Sequence, residues 1–130
     1  MTVPDRPVTP GGAGSVLVVD DDDDLADVLG RALARLGWVV HRSRTGSDAI
    51  ASLASLGGLD AAVVDLVLPG AGGLEVVRSV RRAFPRCRIV ALTGLAEPMM
   101  QSAFSDAGAD VFLAKPVELT DLFEALAARS

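Results

Sequence analysis

The chain has 130 residues, a formal net charge of −5, and a composition that is 50% apolar and 22% charged. This length suits one compact domain, and no apolar run approaches the roughly 20 residues needed to span a bilayer. The single cysteine, Cys87, excludes an internal disulfide and a thiolate metal cluster, and the acidic balance argues against direct binding of nucleic acid.

Residues 1–14 (MTVPDRPVTPGGAG) are rich in Pro, Gly and Thr and lack an apolar period. We predict a flexible N-terminal tail over 1–14 and one folded domain over 15–128. The tail lacks the apolar stretch of a secretory signal, so we expect a cytoplasmic protein that does not bind membranes. With His41 as the only histidine and no CxxC or HExxH spacing, any bound metal is expected to have oxygen ligands.

Five short apolar runs follow the tail, and most of them are continuous rather than alternating. Continuous runs are typical of strands in a parallel sheet that is covered on both faces. These runs predict strands at 16–19, 38–40, 61–64, 89–92 and 111–114.

Segments with helical periodicity lie between and after these runs. The first is expected to end at Gly37 and carries one apolar stripe made of Leu25, Val28, Leu29, Ala32, Leu33 and Leu36. Further helices are predicted at about 47–56, from near Gly73 to before Pro85, at 98–107, and along the apolar face of 119–126. Five strands alternating with five helices predict a doubly wound α/β domain with a five-stranded parallel sheet, because parallel neighbours need helical crossovers.

The reactive side chains of the chain follow the ends of the predicted strands. They are Asp20 and Asp21 after the first, Asp65 after the third, Thr93 after the fourth, and Lys115 with Pro116 after the fifth. Ligands of such folds bind beyond the carboxyl ends of the strands. Three carboxylates drawn together repel unless a cation joins them, and an all-oxygen cluster suits Mg²⁺. With an ammonium and a hydroxyl nearby, this set suits phosphoryl transfer to a carboxylate, and Asp65 is the candidate nucleophile.

Four segments, in this order, resemble the receiver domain of bacterial two-component response regulators: VLVVDDDDDL, DAAVVDLVLPGAGGLEV, IVALTG and VFLAKP. The resemblance covers about 15–128 and implies a (βα)5 flavodoxin-like fold. It implies that Asp65 is the phosphoacceptor and a metal ligand. Asp21 then corresponds to a direct Mg²⁺ ligand, Asp20 to a ligand acting mainly through water, and the Val67 carbonyl to a backbone ligand.

The same resemblance assigns roles to residues of the last two strands. Thr93, Gly94 and Lys115 match groups that contact the phosphoryl oxygens, and Thr93 and Phe112 match the pair that switches on activation. Pro116 matches the proline after a cis lysine peptide bond.

The loop after the third strand both matches and departs from the family pattern. Pro69 and Gly73 match, whereas Gly72 stands where the family often has Asp or Asn. Val67 and Leu95 are apolar at the two positions that face the attacking water and are often polar in the family. We therefore hypothesise slow hydrolysis of the acyl phosphate.

The resemblance also implies partners and leaves alternatives open. It implies a non-enzymatic phosphorylation switch, with a sensor histidine kinase or a histidine phosphotransfer protein as donor, and the fourth helix, fifth strand and fifth helix as output surface. A downstream protein target and a phosphorylation-dependent homodimer are the candidate acceptors of the signal. The alternatives are a phosphatase of the haloacid dehalogenase type, which also uses an Asp nucleophile with Mg²⁺, and a pseudo-receiver that binds partners without phosphorylation.

Overall fold

The computed structural model describes residues 14–68, 72–94 and 98–127, and of 98–100 only the helical backbone. Strands and helices alternate along these ranges in the order β1 (Ser15–Val19), α1 (Asp23–Arg35), β2 (Val39–Ser43), α2 (Gly46–Leu53), β3 (Ala61–Asp65), α3 (Gly72–Ala83), β4 (Arg88–Thr93), α4 (Pro98–Ala107), β5 (Val111–Ala114) and α5 (Leu119–Ala127). Among these helices, none is both long and apolar enough to cross a membrane.

All five strands are parallel and form one sheet in the order β2-β1-β3-β4-β5. The predicted doubly wound α/β fold is confirmed. Because the strand order reverses between β1 and β3, the carboxyl ends of these two neighbours flank the topological switch point. Val19 pairs with Val64, so the residue after β1 lies level with the last residue of β3.

The core has two layers, one on each face of the sheet. Leu17 and Val19 of β1 face the layer formed with α2, α3 and α4, whereas Val16 and Val18 face the layer formed with α1 and α5. These four side chains have no exposed surface, as expected for strands covered on both faces.

Both ends of α1 are satisfied by local hydrogen bonds. The Asp22 carboxylate accepts from Leu25 N at 3.1 Å, which caps the first turn. At the other end, Gly37 has φ 96°, its N–H donates to Ala34 O at 3.0 Å, and Trp38 N donates to Leu33 O at 3.2 Å. This Schellman geometry requires a left-handed residue and confirms Gly37 as the residue that ends the helix.

The predicted apolar stripe of α1 is wrong in part. Val28 is 53% exposed and Leu36 is 38% exposed, while the small residues Ala26 and Gly30 are buried in their place. A Cβ built on Gly30 would lie 3.6 Å from Val40 Cγ1, an ordinary contact distance, so this face of α1 packs directly on β2. Helical periodicity could not show that the smaller residues face the sheet.

Two predicted boundaries are also corrected. The second strand was expected at 38–40, but β2 runs to Ser43 and Trp38 belongs to the turn that ends α1. The second helix was expected to reach residue 56, but α2 ends at Leu53. There Ser55 N donates to Ser52 O and Leu56 N to Leu53 O, which are turn bonds rather than α-helical ones.

Candidate functional site

Four predicted site residues lie at the carboxyl edge of the sheet. Asp20 follows β1, Asp65 ends β3, Thr93 ends β4 and Lys115 follows β5. The strand register aligns them, since Asp65 pairs with Leu92 and Thr93 pairs with Ala114. Within the described ranges, the buried polar or charged side chains are Asp20, Asp65 and Thr93. Polar groups are therefore withdrawn from water at this edge, where a binding site is expected.

The Lys115 ammonium bridges two of the carboxylates. Its Nζ lies 2.9 Å from Asp65 Oδ2 and 3.1 Å from Asp20 Oδ2. The main chain holds this residue in place, because Lys115 N donates to Thr93 O at 2.7 Å and the peptide bond to Pro116 is cis, as the resemblance implied. The lysine side chain remains 25% exposed, so the bridge is open to solvent on one side.

The other oxygen of each carboxylate is fixed by a main-chain amide two residues later. Asp22 N donates to Asp20 Oδ1 at 2.9 Å, and Val67 N donates to Asp65 Oδ1 at 3.0 Å. Such Asx-type turns form where the strand ends and the chain reverses. Both carboxylates thus have one oxygen held by the backbone and one directed at the lysine.

Burial and charge shift the protonation of two of these groups. Burial raises the pKa of the Asp20 carboxyl above its usual value, and the hydrogen bond from Asp22 and the attraction of the Lys115 ammonium only partly offset this effect. Burial alone would lower the pKa of Lys115, but its hydrogen bond to Asp65 and the attraction of the Asp65 and Asp20 carboxylates together outweigh that and raise it. The site therefore holds a stable cation beside an acid that resists ionisation.

The carboxylates fit a hard divalent cation. One oxygen each from Asp20, Asp21 and Asp65 lies within 4.8 Å of the others, and Asp21 is exposed at the mouth. Asp20 Oδ2 is buried and, despite the nearby ammonium, accepts no hydrogen bond of good geometry within the described part of the chain. An all-oxygen set with an unsatisfied buried carboxylate oxygen matches the preference of Mg²⁺.

The start of α3 lies very close to the chain that leaves β3, a contact that the sequence did not reveal. A Cβ built on Gly73 would lie 2.5 Å from the main-chain oxygen of Asp65 and 2.9 Å from Leu66 Cα. Only a glycine lets α3 start directly against the loop that leaves β3. In the sequence, the only sign of this close approach was that Gly73 matches the family pattern. The match did not show why a glycine is needed there.

The remaining predicted site residues lie around this centre. Gly94 is exposed beside Thr93, and Phe112 is half-buried, packing against the core layer shared with α3 and α4. The Val67 side chain is 71% exposed. Pro69 and Leu95 lie outside the described residues.

Comparison with known proteins gives a consistent result. Residues 16–127 match the family model described as the response regulator receiver domain. The chain is 33% identical over 105 residues to a cyclic di-GMP phosphodiesterase of Thermotoga maritima, covering 81% of this chain and 28% of that protein. It is 36% identical over 115 residues to the transcriptional regulatory protein TcrA of Mycobacterium tuberculosis, covering 88% of this chain and 45% of the relative. The chain thus spans less than half the length of either relative.

A solved structure shows the same fold. A response regulator from Burkholderia pseudomallei, determined with a phosphorylated aspartic acid, a calcium ion and citrate, superposes with a TM-score of 0.81. It is 30% identical in sequence, and the match covers 87% of this chain and 66% of that one.

Proposed function

Because the chain belongs to the family of response regulator receiver domains, we propose that Asp65 is its phosphoacceptor and that Asp20, Asp21, Thr93 and Lys115 serve that reaction. Phosphorylation on an aspartate is the general mechanism of this family. The observation that carries the assignment is the position of Asp65 Oδ2, which is held 2.9 Å from an ammonium in a pocket lined by two further carboxylates.

The proposed reaction is a direct transfer. A carboxylate oxygen of Asp65 attacks phosphorus, an O–P bond forms, and the P–N bond of a donor phosphohistidine breaks, so that its electron pair returns to the imidazole. The Lys115 ammonium, already beside the nucleophile, pairs with an oxygen of the incoming phosphoryl group. The Thr93 hydroxyl, at the end of the adjacent strand, donates to another. When bound, Mg²⁺ supplies further positive charge against the transferred oxygens.

The carboxylates would hold that ion jointly. Asp21 is the exposed member and can meet a hydrated ion first, whereas Asp20 is buried and carries the unsatisfied oxygen. Asp65 and the main-chain carbonyl of Val67 complete the proposed ligand set. Because these residues come from the ends of β1 and β3, binding of the ion would also tie the two central strands together.

The proposed partners follow from the family. A sensor histidine kinase or a histidine phosphotransfer protein in the bacterial cytoplasm would act as donor. The surface of α4, β5 and α5 would carry the signal to a downstream protein or to a second copy of the chain, with Thr93 and Phe112 as the switching pair. In this proposal the domain accepts one phosphoryl group and does not turn over a substrate.

Mass spectrometry after treatment with acetyl phosphate and Mg²⁺ tests the assignment. We expect the native chain to gain about 80 Da, one phosphoryl group, and the Asp65→Asn variant to gain none. The Asp106→Asn variant, altered at an exposed position on α4, is the matched control and should be modified like the native chain. Absence of the adduct in the native chain, or its persistence in Asp65→Asn, would overturn the proposal. Continuous release of phosphate from a monoester would instead support the phosphatase alternative.

A further inference from the structure

Arg81 lies near the carboxyl end of α3, at the edge of the sheet opposite the aspartates. Every nitrogen of its guanidinium group donates hydrogen bonds there. Its Nη1 donates to Pro85 O and Cys87 O, both at 2.8 Å. Its Nε and Nη2 donate to Gly108 O at 3.2 and 2.6 Å, and Nη2 also donates to Asp110 Oδ2 at 2.8 Å. A guanidinium has five N–H donors, so these five bonds engage all of them.

The acceptor at Gly108 is the end of α4. Gly108 has φ 122°, its N–H donates to Ser105 O at 3.0 Å, and Ala109 N donates to Phe104 O at 2.9 Å. Phe104 and Ala109 are buried, which completes a Schellman ending with its apolar contact. Arg81 therefore binds the carbonyl that leaves the helix, where a positive charge is also favoured by the helix dipole.

The fit between the two residues is tight. A Cβ built on Gly108 would lie 2.9 Å from both Cγ and Nε of Arg81, so the arginine lies where any other residue would place its side chain. Asp110, the second partner, is itself held to β4, since its Oδ2 accepts from Ile89 N at 2.8 Å and its N–H donates to Ile89 O at 2.8 Å. The carboxyl end of α4 is thus attached to α3 and to the central sheet.

The described side chains in the middle of α4 are less buried than those at its carboxyl end. Of the side chains described on this helix, the buried one is Phe104, in the carboxyl-terminal half, whereas Ser102 and Ala103 are exposed. The amino end, at Pro98, comes next after β4 in the order of elements, and β4 ends at Thr93. Since α4 runs from the carboxyl end of β4 back toward its start, the amino end of the helix lies on the side of the proposed phosphorylation site and its carboxyl end is anchored at the opposite edge of the sheet.

We propose that Arg81 is a fixed pivot for α4, so that a change at Thr93 tilts the helix about its carboxyl end instead of displacing it as a whole. The trigger of the tilt, phosphorylation of Asp65, rests on the proposed function. The anchor, the hydrogen bonds of Arg81 to the end of α4, does not. A helix of ten residues is about 15 Å long, so a shift of about 2 Å at its amino end corresponds to a tilt of about 8°. The signal would then be read at the amino-terminal half of α4.

The neighbouring helix is held in a similar way. Arg88, the first residue of β4, donates from Nε to Ala125 O in the last turn of α5 at 2.9 Å. Both helices of the proposed output surface thus have carboxyl-terminal carbonyls bound by arginines that lie in or next to the α3–β4 connection. These two contacts would hold the carboxyl ends of α4 and α5 in fixed positions while the amino ends of the two helices move.

Hydrogen exchange in the unphosphorylated protein tests the anchor alone. We expect Arg81→Met to accelerate exchange of the Gly108 and Ala109 amides about tenfold, and Arg81→Lys to have a smaller effect because an ammonium cannot reach all the acceptors. Arg82→Met, at the exposed neighbouring position, should leave these amides unchanged. Equal exchange in Arg81→Met and Arg82→Met would overturn the inference and leave the proposed function standing.

Spin-label distances test the pivot. Labels on Ser102→Cys or Asp106→Cys are measured against Ala34→Cys on α1, in a Cys87→Ala background, before and after beryllofluoride and Mg²⁺. With Arg81 present, we expect a shift of about 1.2 Å for the label at 102, which lies about 9 Å from the pivot, and about a third of that shift for the label at 106. With Arg81→Met, the two shifts should be similar.

The outcomes separate the two proposals. Equal shifts at 102 and 106 in the presence of Arg81, or no shift at either position once fluoride binding is seen by ¹⁹F NMR, would overturn the pivot. Failure of the protein to bind beryllofluoride at all would overturn the proposed function and the trigger with it. The exchange result would then decide the anchor by itself.

Discussion

The ammonium of Lys115 lies 2.9 Å from Oδ2 of Asp65, although 50 residues separate them in the chain. Lys115 is the only lysine, and the other eleven of the twelve Lys and Arg residues are arginines. A compact ammonium can contact two carboxylates at once, whereas a planar guanidinium favours a paired contact with one carboxylate.

The Lys115→Gln variant should separate metal binding from phosphorylation. Without the ammonium, the carboxylates lose their internal counter-charge, so affinity for Mg²⁺ should rise about tenfold. The rate of phosphorylation by acetyl phosphate should fall about 100-fold, because a donor to the transferred oxygens is lost. Calorimetric titration and mass spectrometry measure the two effects, with Arg35→Gln as a control distant from the site. A fall in both quantities would show that the lysine serves mainly the metal.

Gly73→Ala should damage the site through the backbone. The added Cβ would meet the Asp65 main-chain oxygen at 2.5 Å, so the start of α3 must move away from the β3 loop. We expect a loss of about 1–3 kcal/mol in the free energy of unfolding, typical of overpacking, together with weaker Mg²⁺ binding. Gly57→Ala, where no atom lies within 4 Å of the new Cβ, is the control. Denaturant unfolding and a metal titration measure the two effects; a Gly73→Ala chain as stable as the control would contradict the argument.

The lifetime of the acyl phosphate should depend on Val67 and Leu95. The Val67 side chain is 71% exposed, so a polar group there would face solvent beside Asp65 and could orient water. The double variant Val67→Asn, Leu95→Glu should shorten the lifetime at least about tenfold, the scale of modest general-base assistance. Phosphate release from isolated phosphoprotein gives the rate, and Val28→Asn, an exposed valine on α1, is the control. An unchanged lifetime would refute the hypothesis of slow hydrolysis.

The Asp20 carboxyl should make stability depend on pH. Its pKa is raised, chiefly by burial, so the folded chain binds this proton more tightly than the unfolded chain. The protonated carboxyl contributes this stability in full below pH 3.8, the usual pKa of an Asp side chain. The contribution is lost as the pH rises through the higher pKa of Asp20 in the folded chain. At neutral pH without metal, Asp20→Asn should therefore raise Tm by about 3 °C.

Thermal melts in chelator across the acidic range check this expectation. The advantage of Asp20→Asn should shrink as pH falls, because the native carboxyl then becomes neutral too. Added Mg²⁺ should raise the Tm of the native chain and have little effect on the variant. Asp24→Asn, exposed in the first turn of α1, should show neither effect. An advantage that persists in acid would mean that burial of charge is not its cause.

Most of the fold could be predicted from the sequence because its signals are local. Continuous apolar runs indicate strands buried on both faces, and Gly37 indicates the end of α1 through a conformation that glycine adopts readily. Parallel strands then place Asp20, Asp65, Thr93 and Lys115 at one edge whatever the details of packing. These predictions needed only periodicity and the geometry of a parallel sheet.

Contacts between distant elements were decided by the tertiary structure. Helical periodicity favoured Val28 for the core, but Gly30 and Ala26 are buried against the sheet and Val28 is exposed. In the sequence, Arg81 and Arg82 are equivalent, yet one has all its donors engaged at the end of α4 and the other is exposed. The sequence by itself determined which elements form and where their ends meet, since those depend on local patterns. Only the packing of the elements determined which of two similar residues, such as Arg81 and Arg82, makes a contact. The reason is that the steric fit of one helix against another depends on every side chain between them.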